Sequence, residues 1–211
     1  MGLLRKLPAP SSFQCMVFEG VATEKITLFF DYVDPASYLM HELIGGSELA
    51  PLIDWRGFEV RAPPDDLVDP ESEDWSRYQD EMLGIAEALG VDMSVPFLVP
   101  WSRKAHELGA LAREKNCYGE VRRALFRAHF VDGVDIGRID LLVQIGQDTG
   151  LDRSEVKAAL DVDHHTGTVL SDRATAEELS VVGVPTLVRD GVRLEGLRTV
   201  QDIQTWVANQ P

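Results

Sequence analysis

The residues best suited to chemistry lie in one short run, Asp31-Tyr-Val-Asp-Pro-Ala-Ser-Tyr38. Asp34 suits a helix N-cap because its carboxylate can accept the free amide hydrogens of a first turn. Pro35 suits the first helical position because it has no amide hydrogen to leave unsatisfied. The run follows Ile26 to Phe30, a short β-branched and aromatic stretch that reads as a buried strand. A strand that empties into a helix start gathers unpaired amides and a partial positive charge at one spot, where an anion or a thiolate is held. That spot is the natural place for chemistry. The same field favours the ionised carboxylate and should lower the pKa of Asp34, making it a weak base near neutrality unless burial outweighs the field. The plain alternative is that Asp34 only caps the helix.

The remaining reactive residue types are more scattered. His41 lies one helical turn beyond Ser37 and within reach of it, or else it fills core or surface. His164 and His165 are adjacent, so on a helix they point apart and share no metal site. Cys15 and Cys117 have no spacing that suggests a metal clip or a redox pair. Asp31 either pairs with polar backbone near the turn or closes the strand. Of the four tryptophans, Trp55, Trp75 and Trp206 read as packing residues, and Trp101 after Pro100 as one that could line a cleft. No phosphate-cradling glycine loop, zinc motif or serine-hydrolase elbow occurs.

A formal net charge of -15 argues against a chain that tracks nucleic-acid phosphates or is drawn to anionic lipid. No apolar run approaches the roughly 20 residues needed to cross a bilayer, and the N-terminus lacks the apolar core of a secretion signal. The expected setting is the cytoplasm, with no nucleic-acid or membrane partner and no metal.

The elements that must position the turn follow from periodicity. Residues 1–21 mix Leu, Pro, Ser and Phe without period and read as an irregular extension. The helix opened by Pro35 stops at Gly45-Gly46, and Ile53 to Arg61 alternates as a half-buried strand should. Strand, helix, strand in this order predicts a parallel pair. Between residues 63 and 169 the pattern turns helical: Trp75 to Ala88, Ser102 to Lys115, Gly119 to Val131, Asp140 to Gly150 and Ser154 to Leu160. A long polar helix from Val162 to Glu178 leads back to the sheet. Val181 to Arg189 reads as a strand entered through Gly183 and Pro185. Asp190-Gly191 is a hairpin turn before Val192 to Glu195, and Thr199 caps a closing helix, Val200 to Ala208. The expectation is an α/β domain over 22–62 and 170–211, interrupted by an all-helical insertion over 63–169.

The turn resembles the active-site turn of DsbA-like thioredoxin-fold proteins of the FrnE type, usually Asp-x-x-Cys-Pro-x-Cys-Tyr, with Asp34 and Ser37 standing where those cysteines would be. Gly183-Val-Pro-Thr186 resembles the thioredoxin-fold loop whose proline is cis and faces that turn. Trp55-Arg-Gly-Phe58, Ala124 to Phe130 and Gly133 to Gly137 carry the resemblance through the insertion. It implies a thioredoxin fold interrupted once, a catalytic turn at Asp34 and Ser37, and a substrate-binding set of Tyr38, Val184, Pro185, Thr186 and Arg198. It implies the oxidoreductase family, yet neither Asp34 nor Ser37 can supply the sulfur that thiol–disulfide exchange requires. No dithiol activity is expected at this turn, which leaves a pocket for a small-molecule or peptide ligand.

The same interrupted fold is similar to 2-hydroxychromene-2-carboxylate isomerases and kappa-class glutathione transferases, with Ser-Pro-x-Ser at the turn. That likeness implies a glutathione-dependent isomerase or transferase acting on a small aromatic or electrophilic substrate. Asp34 departs from it, since its charge opposes a neighbouring thiolate, and so does Glu195-Gly-Leu-Arg-Thr199. Apart from glutathione no cofactor is expected. A non-enzymatic partner-binding scaffold and a homodimer remain open.

Overall fold

The computed structural model describes residues 25–69 and 71–210. The irregular extension and Cys15 lie outside them. Strand β1 (Ile26–Phe30) leads through a four-residue turn into α1 (Pro35–Gly45), and β2 (Ile53–Gly57) follows a short 3-10 turn. Five helices then intervene: α2 (Glu73–Leu89), α3 (Arg103–Glu114), α4 (Tyr118–Phe130), α5 (Ile139–Asp148) and α6 (Arg153–Asp161). The chain returns through α7 (Thr166–Glu178) to the hairpin β3 (Thr186–Arg189) and β4 (Val192–Glu195), and closes with α8 (Val200–Ala208). The sheet order is β2-β1-β3-β4, with β1 and β2 parallel in the register Ile26 opposite Ile53, and the other pairs antiparallel. The interrupted α/β architecture is as the sequence implies. No described helix is long and apolar enough to cross a membrane.

Side chains alternate across a strand, so β1 buries both faces of the sheet. Leu28 and Phe30 join the large core that the sheet shares with the insertion, while Phe29 packs in a second cluster with Phe58, Ala176, Val181 and Val188. Phe30 is the hub of the first. Its ring lies edge-on to Tyr32 at 5.0 Å and to Trp55 at 5.5 Å, and Phe126 of α4 stands 5.7 Å away. Fully burying one such side chain contributes roughly 1.5–3 kcal/mol, so the insertion is held to the sheet by common core rather than by a linker.

Three boundaries differ from the sequence reading. The strand expected from Val181 begins at Thr186, where its pairing with β1 and β4 begins. The strand expected to reach Arg61 ends at Gly57, because its partner β1 ends at Phe30: the Phe58 amide donates to the Phe30 carbonyl at 2.8 Å, and the Val60 amide donates to the Asp31 carboxylate instead. The helix expected from Val162 starts at Thr166. Asp163 sits at φ 56, a left-handed conformation that no α-helix interior accommodates, and it separates α6 from α7. α7 packs on β2 and on α3, so the domain limit expected at 169/170 falls within a helix that touches both parts.

Candidate functional site

Asp34 is an extended residue at the N-cap of α1, and its Oδ2 accepts the Ser37 amide at 2.7 Å, as the Asp-Pro pair foretold. Its Oδ1 accepts the Tyr78 hydroxyl at 2.8 Å, a bond that capping does not require. The carboxylate is buried, and among the described residues no cation pairs with it. Burial therefore wins over the field of the helix terminus. It lifts the Asp34 pKa from an ordinary 3.8 to about 6, with the Ser37 and Tyr78 hydrogen bonds opposing the rise. Of the two outcomes the sequence left open, burial prevails over the terminal field. Tyr78 responds in the same sense: burial, then the nearby Asp34 charge, raise its pKa well above the usual phenol range.

Asp31 anchors the turn from behind. It is fully buried; its Oδ2 accepts the Val60 amide at 2.7 Å, its Oδ1 stands 3.1 Å from His106 Nε2, and its own amide donates to Ser37 Oγ at 3.3 Å. His106 comes from α3 and reaches Asp31 by passing over Gly57, where a Cβ would lie 2.5 Å from its Nδ1. A glycine is thus needed there for close approach of helix to strand.

In front of the turn lies a groove of about 600 Å³. Ala36 and Leu43 of α1 form one wall, and Tyr78, Met82, Ile85 and Leu89 of α2 the next. Val184, Pro185, Leu197 and Arg198 close the far side. Two segments about 150 residues apart in the chain therefore meet across one hollow, and the Val184–Pro185 bond is cis, as the resemblance implies. Arg198 pairs with no carboxylate among the described residues; its Nη1 donates to the Leu197 carbonyl at 3.0 Å.

Of the residues singled out from sequence, Val184, Pro185 and Arg198 line this groove together. Asp34 sits behind Tyr78, and Ser37 is fully buried against Asp31 and Asp34. Tyr38 points elsewhere: it stacks on Phe130 and gives its hydroxyl to the Asp92 carbonyl at 2.7 Å, and burial pushes its pKa up to about 12. Thr186 is buried, its hydroxyl bonded to the Gly183 carbonyl. His41 is core, stacked on Phe126 and held near pKa 3 chiefly by burial. Trp101 is partly exposed, gives its indole N–H to the Asp65 carbonyl and lies away from the groove. Cys117 is a free thiol at the start of α4, its pKa raised by burial. The sequence reading missed Tyr78 and the wall it belongs to. The stripe Tyr78, Met82, Ile85, Leu89 was visible at helical spacing, but nothing in it says which surface it faces.

Residues 25–208 match the description of the DSBA-like thioredoxin domain. The chain belongs to that family. A relative in Bacillus subtilis (strain 168), the uncharacterized protein YwbO, is 29% identical over 175 residues, covering 79% of this chain and 86% of its own length. Among solved structures, a probable DsbA oxidoreductase from Streptomyces coelicolor superposes with a TM-score of 0.72 at 22% identity, covering 89% of this chain and 92% of that one. A 2-hydroxychromene-2-carboxylate isomerase gives 0.70 at 19% identity, covering 87% and 94%. At these identities the two structures share the fold with this DsbA-like chain, and the groove chemistry is read from its own residues.

Proposed function

We propose that this DsbA-like chain performs no dithiol exchange at the α1 turn and instead binds a small-molecule or peptide ligand in the groove beside Pro185. One observation supports the reading: the two positions that the resemblance sets in place of the family's cysteines hold oxygen, and their side-chain oxygens are engaged. Asp34 accepts from Ser37 and Tyr78, and Ser37 accepts from Asp31. Exchange needs a thiolate attacking a disulfide sulfur, and neither side chain provides one. The groove volume falls in the range of about 300–1,000 Å³ common for small-ligand sites. Insulin reduction and reactivation of a scrambled-disulfide substrate should show no turnover that depends on residues 34 and 37; turnover lost in Asp34→Ala or Ser37→Ala overturns the reading. The double substitution Asp34→Cys with Ser37→Cys should form an intramolecular disulfide under mild oxidation, and persistently free thiols contradict the turn geometry.

A second reading, a glutathione-dependent isomerase or transferase for small aromatic or electrophilic substrates, is favoured by Arg198. An arginine that lines a groove without a carboxylate partner suits a carboxylate-bearing ligand such as glutathione. Calorimetry with glutathione decides: saturable heat weakened by Arg198→Gln supports it, and no heat at millimolar ligand dismisses it. The proposed compartment of the protein is the cytoplasm. Assembly as a homodimer is checked by sedimentation.

A further inference from the structure

Tyr78 joins the groove to the turn: its ring lines the first and its hydroxyl bonds the second. A phenol carries one proton and acceptor lone pairs. That proton is committed to Asp34 Oδ1 at 2.8 Å. Asp34 does not give it up lightly. Its other oxygen already holds the Ser37 amide, and no cation among the described residues shares the load, so these two bonds supply the compensation that a buried charge demands. The Ala36 amide is directed at the same oxygen, so what Tyr78 can offer the groove is its remaining acceptor capacity.

From this geometry we infer that at neutral pH the groove selects ligands that place a hydrogen-bond donor, a hydroxyl or an N–H, against Tyr78 at one end of an apolar body. The apolar body rests on Leu43, Met82 and Ile85. An ether, carbonyl or carboxylate at the same point meets lone pairs and is disfavoured. This selection rests on the groove-binding reading above and names the class of ligand for it.

The preference is tied to the state of Asp34. Because Oδ2 is taken by the Ser37 amide, a proton added to Asp34 settles on Oδ1 and is donated to the Tyr78 oxygen. The Tyr78 proton then turns to the groove, and the oxygen loses its acceptor bias. Ser37 of α1, Asp31 at the end of β1 and Tyr78 of α2 face Asp34. Arg61, beyond β2, lines a small cavity with it, Glu81 stands on α2 near Tyr78, and Arg198 and Asp202 line the groove opposite. With Asp34 titrating at about 6, donor selection holds at pH 7.5 and fades at pH 5.

Two probes with the same apolar body test this on the full chain: 1-naphthol, which donates, and 1-methoxynaphthalene, which does not. The readout is the ratio of their dissociation constants. Tyr78→Phe should shift that ratio by roughly three- to tenfold against naphthol, the worth of one net hydrogen bond. Comparing the variant with the parent cancels the probes' own difference in hydrophobicity. The parent protein should show the same shift between pH 7.5 and pH 5, both probes being neutral throughout, and this arm decides if Tyr78→Phe does not fold. Equal ratios in parent and variant, or a ratio flat with pH, overturn donor selection while leaving the groove a binding site. Failure of both probes to bind at millimolar concentration removes both readings together.

Discussion

The substitution Asp34→Asn should stabilise the protein at pH 7.5, although it alters a residue that makes two good hydrogen bonds. Asn caps a helix about as well as Asp, and its amide can still accept from Ser37 and meet Tyr78. What the substitution removes is a charge held in a buried place without a cation. The Asp34 pKa is about 6 in the native state against an ordinary 3.8, so the folded protein holds this proton over a wider pH range than the unfolded chain does. Native protein binds more protons between those values, and stability is given up as pH rises from 3.8 through 6. A shift of about two units at about 1.4 kcal/mol each amounts to about 3 kcal/mol. The two hydrogen bonds are already counted in that shift; an Asn amide, which brings a second N–H to a buried place, gives back about 1 kcal/mol of the gain. The net gain of about 2 kcal/mol corresponds to roughly 4–8 °C in Tm for a chain of this size. Urea unfolding of both proteins at pH 4, 5, 6 and 7.5 isolates the effect, because titration of other groups cancels in the difference. The gain should appear at pH 7.5 and shrink to nothing or reverse near pH 4. A difference that is flat with pH, or a variant less stable than the parent at pH 7.5, refutes the assignment of burial as the dominant cause.

Three other substitutions probe the frame around the site. Gly57→Ala drives a methyl into His106 and should cost about 1–3 kcal/mol in chemical denaturation; an unchanged midpoint would show that α3 can retreat freely from β2. Arg103→Ala strips the partner from Glu59, whose side chain is wholly buried, and should cost about 3–5 kcal/mol. Retention of parental stability would mean that the carboxylate finds water. Tyr38→Phe removes only the bond to the Asp92 carbonyl, so Tm should fall by an amount equivalent to about 1 kcal/mol while probe binding in the groove stays at the parental value. A loss of binding would place Tyr38 nearer the ligand than its packing does.

Local signals made most of the fold legible. Asp34-Pro35 opens α1 where the cap chemistry says it should. Thr199 opens α8 with a reciprocal Thr199–Asp202 capping box. Alternation in Ile53 to Gly57 reproduces the burial of β2 residue by residue. Where the sequence reading misjudged an end, the deciding interaction was non-local or conformational. β2 stops because β1 has run out, and α7 starts late because Asp163 turns left-handed. The site divides the same way. The encounter of the turn with Pro185 followed from family likeness, and the cap from Asp34 itself. The raised pKa of Asp34 did not, because burial is imposed by surrounding elements, with Tyr78 arriving 44 residues downstream. His106 was equally invisible: a histidine in a helical stretch carries no mark that its ring crosses a glycine to reach Asp31.

The oxygens at the head of α1 bear on where and when this protein can work. A thiol pair must be reset by a reductant or an oxidant after each turnover, and peroxide can drive it irreversibly to sulfinic and sulfonic acids. A carboxylate and an alcohol have no such ladder to climb. On the groove-binding function proposed above, a turn built of these oxygens needs no resetting by a thiol pool and offers peroxide no sulfur to oxidise; acidity, rather than electron supply, is then the environmental variable it registers.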